Sequence, residues 1–259
     1  MIYFLKIGGN MKALITGASS GIGREMAYYL ADLGYDLILV ARRKEKLEEI
    51  KKNVLVNVTI YNYDLSIEEN NFKLYEKVKK EQINLLINNA GFGLLGDFSE
   101  TDLTRELAMI DLNIKALHIL MKLFLIDFEK SNSGMILNVA SSAGFLAGPY
   151  LSTYYATKNY VTKLSIAVNE ELRKKKSNVS ISVLCPGPVD TEFNDVAKAK
   201  FSLKGANAKI IAKYAIDQTL KKKLIIVPGF MMKLSLFLNR LVPWKISARI
   251  AGKMQSKKM

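Results

Sequence analysis

Three observations predict that this 259-residue chain is a doubly wound α/β protein, with a parallel sheet of about seven strands and helices on both faces. Short apolar runs alternate with longer amphipathic segments at the spacing of crossover units. A glycine-rich turn joins the first apolar run to the first helical segment, Thr16-Gly17-Ala18-Ser19-Ser20-Gly21-Ile22-Gly23. No linker, internal repeat or low-complexity tract interrupts the pattern, so residues 11–259 read as one domain.

In chain order, Lys12–Thr16 is the first strand, and Gly21–Leu33 has helical periodicity through Ile22, Met26, Tyr29, Leu30 and Leu33. A strand, a glycine-rich turn and a helix start make a phosphate cradle, because free backbone N–H groups and the helix dipole both face the anion. The spacing is G-x-x-x-G-x-G, which differs from the common dinucleotide fingerprint. The second strand, Asp36–Val40, ends in Ala41-Arg42-Arg43. A dinucleotide fold places here an acid for the adenosine ribose or an arginine for a 2′-phosphate. Arg42 and Arg43 stand where the acid would be, which argues for NADP(H) over NAD(H).

Val58–Asn62 is a third strand leading to Asp64-Leu65, and a helix covers Glu69–Lys80. The fourth strand, Ile83–Ile87, ends in Asn88-Asn89-Ala90-Gly91, small residues and amides suited to a ligand crevice. A long helix is expected from about Asp102 to Glu129, with Asn113 inside it although Asn is a mediocre helix former. Met135–Val139 is the fifth strand, with Ser141 and Ser142 at its exit. Next comes a helix carrying Tyr154 and Lys158 and running to about Lys175. The spacing of four puts Tyr154 and Lys158 on one helical face, where an ammonium would favour the phenolate. The sixth strand, Val179–Leu184, leads into Pro186-Gly187-Pro188-Val189-Asp190-Thr191. A helix near Ala206–Leu220 and a seventh strand at Leu224–Val227 complete the sheet.

Composition excludes several classes. Hydrophobic residues make up 49% and charged residues 24%, ordinary for a chain that buries a sizeable core. The single cysteine, Cys185, rules out an intrachain disulfide and fits a reducing, cytoplasmic setting. One His and one Cys leave little for a zinc site, and no metal is expected. His118 lies in an apolar helical pattern and reads as structural. No run approaches the length of a membrane span. Met11 is a candidate start, with residues 1–10 an upstream extension.

Taken together, these residues resemble the short-chain dehydrogenase/reductase family, in outline its bacterial branch of general reductases. The matching motifs run from residue 12 to about 193. They are Thr16-Gly17-x-x-x-Gly21-Ile22-Gly23, Asp64, Asn88-Asn89-Ala90-Gly91, Asn113, Ser141, Tyr154-x-x-x-Lys158 and Pro186-Gly187-Pro188-Val189-x-Thr191. The resemblance implies a Rossmann-type fold and a catalytic tetrad of Asn113, Ser141, Tyr154 and Lys158. It makes Tyr154 the proton donor to a carbonyl, Ser141 its oxygen-binding partner, Lys158 the group that lowers the Tyr154 pKa and binds ribose, and Asn113 the holder of a water. For the cofactor it implies Gly17, Ser19, Ser20, Gly21 and Ile22 at the pyrophosphate, and Asp64 and Leu65 at the adenine. Asn89, Ala90 and Gly91 fall at the ribose, and Pro186, Gly187, Val189 and Thr191 at the nicotinamide. Ser20 departs from members that place a cation in this turn, so a preference for NADP(H) rests on Arg42 and Arg43. A homodimer or homotetramer through the helices around Asn113 and Tyr154 is also implied.

The expected substrate walls are apolar: Phe92, Gly93, Leu94 and Leu95, then Phe145, Leu146 and Ala147, with Tyr150, Leu151 and Phe193. They suit a hydrophobic ketone, alcohol or acyl group, including a 3-oxoacyl thioester. Lys198, Lys200 and Lys204 follow in a lid segment. A catalytically idle dinucleotide-binding regulator is the rival reading, and the intact tetrad speaks against it. The net charge of +14 is uneven: the first 217 residues carry +4 and the last 42 carry +10, with no acid after Asp217. Nothing points to nucleic acid. The basic segment 229–259 has helical patterning at Phe230, Leu234, Phe237, Leu238 and Leu241, then at Ile246, Ile250 and Met254. Such a segment can lie on an anionic membrane, cap the cleft or pack on a partner subunit.

Overall fold

Along β1 (Lys12–Thr16), Ala13 and Ile15 enter one apolar core and Leu14 enters another. β2 (Asp36–Val40) divides in the same way, Leu37 and Leu39 to one side, Ile38 and Val40 to the other. A strand that buries both faces needs helices above and below it. The structure, a computed structural model, describes residues 11–193 and 205–256. Its main sheet has seven strands in the order β3-β2-β1-β4-β5-β6-β9, all paired parallel. The other strands of that sheet are β3 (Val58–Tyr61), β4 (Leu85–Asn88), β5 (Met135–Val139), β6 (Ser180–Leu184) and β9 (Ile225–Ile226). A small parallel pair, β7 (Val189–Asp190) with β8 (Ala206–Asn207), lies outside it.

One face of the sheet is covered by α1 (Gly21–Asp32), α2 (Lys44–Lys52) and α7 (Ala208–Leu220), which supply Met26, Leu30, Leu47, Ile50 and Ile216 to the first core. The other face is covered by α3 (Glu68–Val78), α5 (Leu117–Ser131) and α6 (Ser152–Lys174) through Leu74, Leu120, Phe124, Val161 and Leu172. Two terminal helices follow β9, α8 (Phe230–Asn239) and α9 (Trp244–Gln255).

The fold class and all seven main strands match the sequence reading, with ends differing by a residue or two. One element differs in kind. The helix expected from Asp102 to Glu129 is α4 (Leu103–Ile110), then a π-helical stretch (Asp111–Ala116), then α5. Asn113 lies within the π-stretch, where the wider turn aims its side chain inward, and it is 1% exposed.

Candidate active site

Chain order reverses between β1 and β4, neighbours in the sheet whose crossovers run in opposite directions. A crevice opens outside strand carboxyl ends at such a switch point. Here it is a cavity of about 460 Å³ walled by the loops leaving β1, β2, β3, β4, β5 and β6. Every residue named from the sequence for cofactor or catalysis lines it, except Asn113, which lies behind the wall.

The floor is assembled by Thr16 and Asn89. The Thr16 hydroxyl accepts from the backbone N–H groups of Asn89 and Ala90 at 3.0 and 3.1 Å. The Asn89 side-chain amide donates to the carbonyls of Thr16 and Gly17 at 3.0 and 3.1 Å. These bonds tie the loop after β4 to the turn after β1. Gly17 makes the approach possible: its φ is +64°, and a Cβ there would lie 2.8 Å from the Ala90 Cα. Asn89, expected to flank a ribose, lines the cavity while its side-chain amide fixes the turn. At the turn's end Ser20 caps α1 without a side-chain bond, and the first helical turn carries no acid. Its amides are left for an anion, so the cradle fits a dinucleotide's pyrophosphate.

The far end carries the two arginines. Arg42 is mostly exposed and lies 3.6 Å from an Asp64 oxygen. Arg43 pairs with Glu192 at 2.8 Å and donates to the Ser19 hydroxyl at 3.3 Å, so it bridges the cleft from β2 to the loop beyond β6. Burial raises the Asp64 carboxyl, but hydrogen bonds from Ser66 and the Arg42 charge outweigh it and hold the group below its usual range. Asp64 stays ionised as an acceptor at neutral pH.

The end that gathers the expected tetrad is built from β5, α6 and the π-stretch. Ser141 leaves β5 in extended backbone, and its hydroxyl accepts from the Ala143 N–H at 3.2 Å. It also faces the Tyr154 phenol. Burial pushes the Tyr154 pKa well above its ordinary value, and the nearby Ser141 hydroxyl offsets only part of that rise. Lys158, 5% exposed, donates from Nζ to the Val139 carbonyl at 2.9 Å and sits 5.8 Å from the Tyr154 ring centre. Burial pushes its own pKa down to about 8. The expected electrostatic lowering of Tyr154 by Lys158 is thus not what dominates here. Desolvation wins, and it keeps the phenol protonated. Asn113 accepts from the Phe92 N–H at 3.0 Å and donates to the Phe92 carbonyl and to Thr157 at 2.9 and 3.1 Å. Gly91 gives it room: a Cβ there would stand 2.8 Å from the Asn113 Oδ1 and 3.4 Å from the Lys158 Nζ.

Of the expected substrate walls, Phe92, Leu151 and Phe193 line the cavity, the last with its ring 5.3 Å from that of Tyr154. Leu94 and Phe145 instead belong to the core, and Gly93 lies beneath Phe193. Leu95, Leu146, Ala147 and Tyr150 are not among the lining residues. Lys198, Lys200 and Lys204 fall outside the described residues. Leu112, Tyr155, Glu192 and Gln255 line the cavity and were not anticipated. Gln255 comes from α9 and donates to the Tyr155 hydroxyl at 2.6 Å. Its Oε1 is buried without a partner. Tyr155 in turn lies flat against Gly148, where any Cβ would meet its ring. Of the readings left open for the C-terminal segment, α9 takes up the cleft-capping one on its inner side. Elsewhere, His118 is exposed and bonded to the Tyr160 hydroxyl at 2.7 Å, away from the cavity. Among the described residues there is no metal-binding cluster, and no helix is long and apolar enough to cross a membrane.

The family model described as short chain dehydrogenase matches residues 11–201. An uncharacterized oxidoreductase of Staphylococcus saprophyticus is 35% identical over 188 residues, covering 70% of this chain and 80% of the relative. A very-long-chain 3-oxoacyl-CoA reductase of Mycosarcoma maydis is 31% identical over 195 residues, covering 69% of this chain and 55% of the relative. Among solved structures, a short-chain dehydrogenase from Sphingobium yanoikuyae in complex with NADPH superposes with a TM-score of 0.81 at 28% identity, covering 89% of this chain and 93% of that one. A relative from Burkholderia phymatum in complex with NAD gives the same TM-score at 22% identity, covering 90% and 93%, a likeness of fold.

Proposed function

The chain belongs to the short-chain dehydrogenase family, and on that premise we propose that it is an NADPH-dependent reductase of a hydrophobic ketone or acyl carbonyl. The observation that carries this reading is the meeting of Tyr154, Ser141 and Lys158 in one cleft whose other end is a phosphate cradle. An idle regulator has no use for a phenol held beside a serine at the end of a dinucleotide cleft.

Gly17, Ser19, Gly21 and Ile22 would hold the pyrophosphate, Asp64 and Leu65 the adenine, and Val189 and Thr191 the nicotinamide end. When bound there, the dinucleotide supplies a hydride for the carbonyl carbon. Tyr154 then gives its O–H proton to the carbonyl oxygen, a transfer suited to a phenol kept protonated by burial. Ser141 hydrogen-bonds the same oxygen and fixes its direction. The Lys158 ammonium offsets the charge left on Tyr154, and Asn113 holds the Phe92 backbone against α6. Phe92, Leu151 and Phe193 exclude water from the reacting oxygen. The preference for the 2′-phosphate rests on Arg42, whose guanidinium is exposed at the adenosine end. Within the hydrophobic class, a 3-oxoacyl thioester is favoured by the likeness to 3-oxoacyl-CoA reductases. Assembly as a homodimer or homotetramer through α5 and α6 is part of the reading; exposed Ile126 and Tyr160 lie on those helices.

Tyr154→Phe tests it. Phenylalanine keeps the packing against Phe193, so NADPH binding should persist while turnover falls about 10²- to 10⁴-fold. Undiminished reduction of a ketone panel by the variant would remove Tyr154 from the role of acid.

A further inference from the structure

The terminal helices have two sides, and only the inner side is accounted for by the cleft. On the inner side Met232 packs on Gly187, Gly252 packs on Pro149, and Gln255 reaches Tyr155. Ser247 on α9 donates to Asn239 on α8 at 2.7 Å, which joins the two helices. The outer sides are apolar and open. Phe230, Leu234, Phe237 and Leu238 share one side of α8, Leu241 follows just past its end, and all five are exposed. Ile246, Ile250 and Met254 form a second exposed row on α9. Trp244, at the corner between the helices, is 79% exposed.

Cations flank both rows. Lys245, Arg249 and Lys253 follow at four-residue steps along α9, and with Ser256 they line a shallow depression against Pro149 and Tyr150. Lys233 sits on α8 and Arg240 caps its end. Lys245, Arg249, Lys253 and Arg240 have no ion pair among the described residues. No acid follows Asp217 in the sequence.

We propose that α8 and α9 dock this protein on an anionic lipid surface, with the apolar rows in the acyl boundary and Lys245, Arg249 and Lys253 on lipid phosphates. Large apolar side chains with one Trp on the wet side and cations beside them are the composition of an interfacial helix. A second copy of this chain suits the surface poorly. A self-complementary contact would bring two acid-free basic patches together, and like charges so placed repel. Anionic head groups meet both the charge and the exposed apolar area.

The test reads binding without turnover, so its outcome is separate from that of the reaction proposed above. Full-length protein is mixed with phosphatidylcholine vesicles, with and without phosphatidylglycerol. The emission of Trp244, the sole tryptophan, is recorded, followed by co-sedimentation. Anionic vesicles should carry the protein down and shift the emission to the blue, and added salt should reverse much of the binding. The triple substitution Lys245→Gln, Arg249→Gln and Lys253→Gln should weaken partition about a hundredfold. Phe237→Ser with Leu241→Ser, both at exposed positions and so compatible with folding, should weaken it at least about tenfold. Failure of the full-length chain to bind anionic vesicles would overturn the proposal. So would a dimer that the Phe237→Ser, Leu241→Ser pair dissolves, which would assign the face to a second copy.

Discussion

Lys158 holds an ammonium where the fold disfavours one, and the cost can be worked out and tested. Its pKa falls from 10.5 to about 8 on burial, which corresponds to about 3 kcal/mol of folding stability lost while the lysine is charged in both states. Below about pH 8 that loss is complete. Between pH 8 and 10.5 the folded chain has released the proton and the unfolded chain has not, so stability rises with pH. Above 10.5 both are neutral and the loss disappears. Lys158→Met removes the charge and keeps the volume, but forfeits the bond to the Val139 carbonyl. The share of that bond owed to the charge is already inside the pKa shift, which leaves a neutral donor's bond of about 1 kcal/mol. The variant should therefore be more stable than the parent by about 2 kcal/mol near pH 7. The advantage should fall by about 2 kcal/mol by pH 9.5 and nearly vanish there. Urea unfolding of both proteins across this range, followed by circular dichroism, gives the difference directly and cancels the titrating groups that do not interact with Lys158. A variant less stable than the parent at pH 7, or a difference that does not change with pH, would refute the reasoning. Activity should be lost throughout, making Lys158 a case of stability given up for chemistry.

Three other substitutions probe separate parts of the cleft. Gly91→Ala forces a Cβ to 2.8 Å from the Asn113 Oδ1; thermal unfolding should register a loss of about 1–3 kcal/mol, with kcat reduced although position 91 carries no reacting group. Arg42→Ala should weaken NADPH binding roughly ten- to hundredfold by fluorescence titration and leave NADH nearly unaffected, because a charge-assisted bond to phosphate is at stake; equal losses for both would overturn the 2′-phosphate assignment. Gln255→Leu removes an amide with an orphaned oxygen, so stability should stay within about 1 kcal/mol of the parent. Its KM should rise for carbonyl substrates that also carry a hydroxyl able to donate to that oxygen, and hold for plain hydrocarbon ketones; an equal effect on both would show that the amide does not read the substrate.

How much of this could be read from the chain alone varied with the physics involved. The glycine-rich turn was legible because closely spaced glycines before a helix mark a tight strand-to-helix turn, and the strands because two-sided burial demands short apolar runs. The Tyr154–Lys158 adjacency followed from helical geometry, but its electrostatics did not. Spacing shows that the two groups are near and says nothing of the burial that moves both pKa values. Asn89 was placed at the right loop, but its side-chain bonds to Thr16 and Gly17 were not foreseen, since they depend on how closely two loops approach. Gln255 was out of reach. It meets a tyrosine 100 residues earlier through the path of α9 back across the cleft, and no local pattern encodes that path. The π-stretch left one faint trace, an asparagine in the middle of a helix.

That stretch sets a phase. An α-helix advances about 100° per residue, so the wider turns of Asp111–Ala116 offset the faces of α4 and α5 by the angle that brings Asn113 onto Phe92 and Thr157. Deleting a single residue there would let the helix regularise, improving its own hydrogen bonding, and would rotate one flank relative to the other. Either Asn113 would turn away from the cleft or α4 would lose its seat beside α6. The chain thus tolerates a local irregularity because two rigid bodies, joined end to end, must each face a different neighbour. The residue count between Leu103 and Leu117 is thereby fixed as firmly as any contact in the cleft.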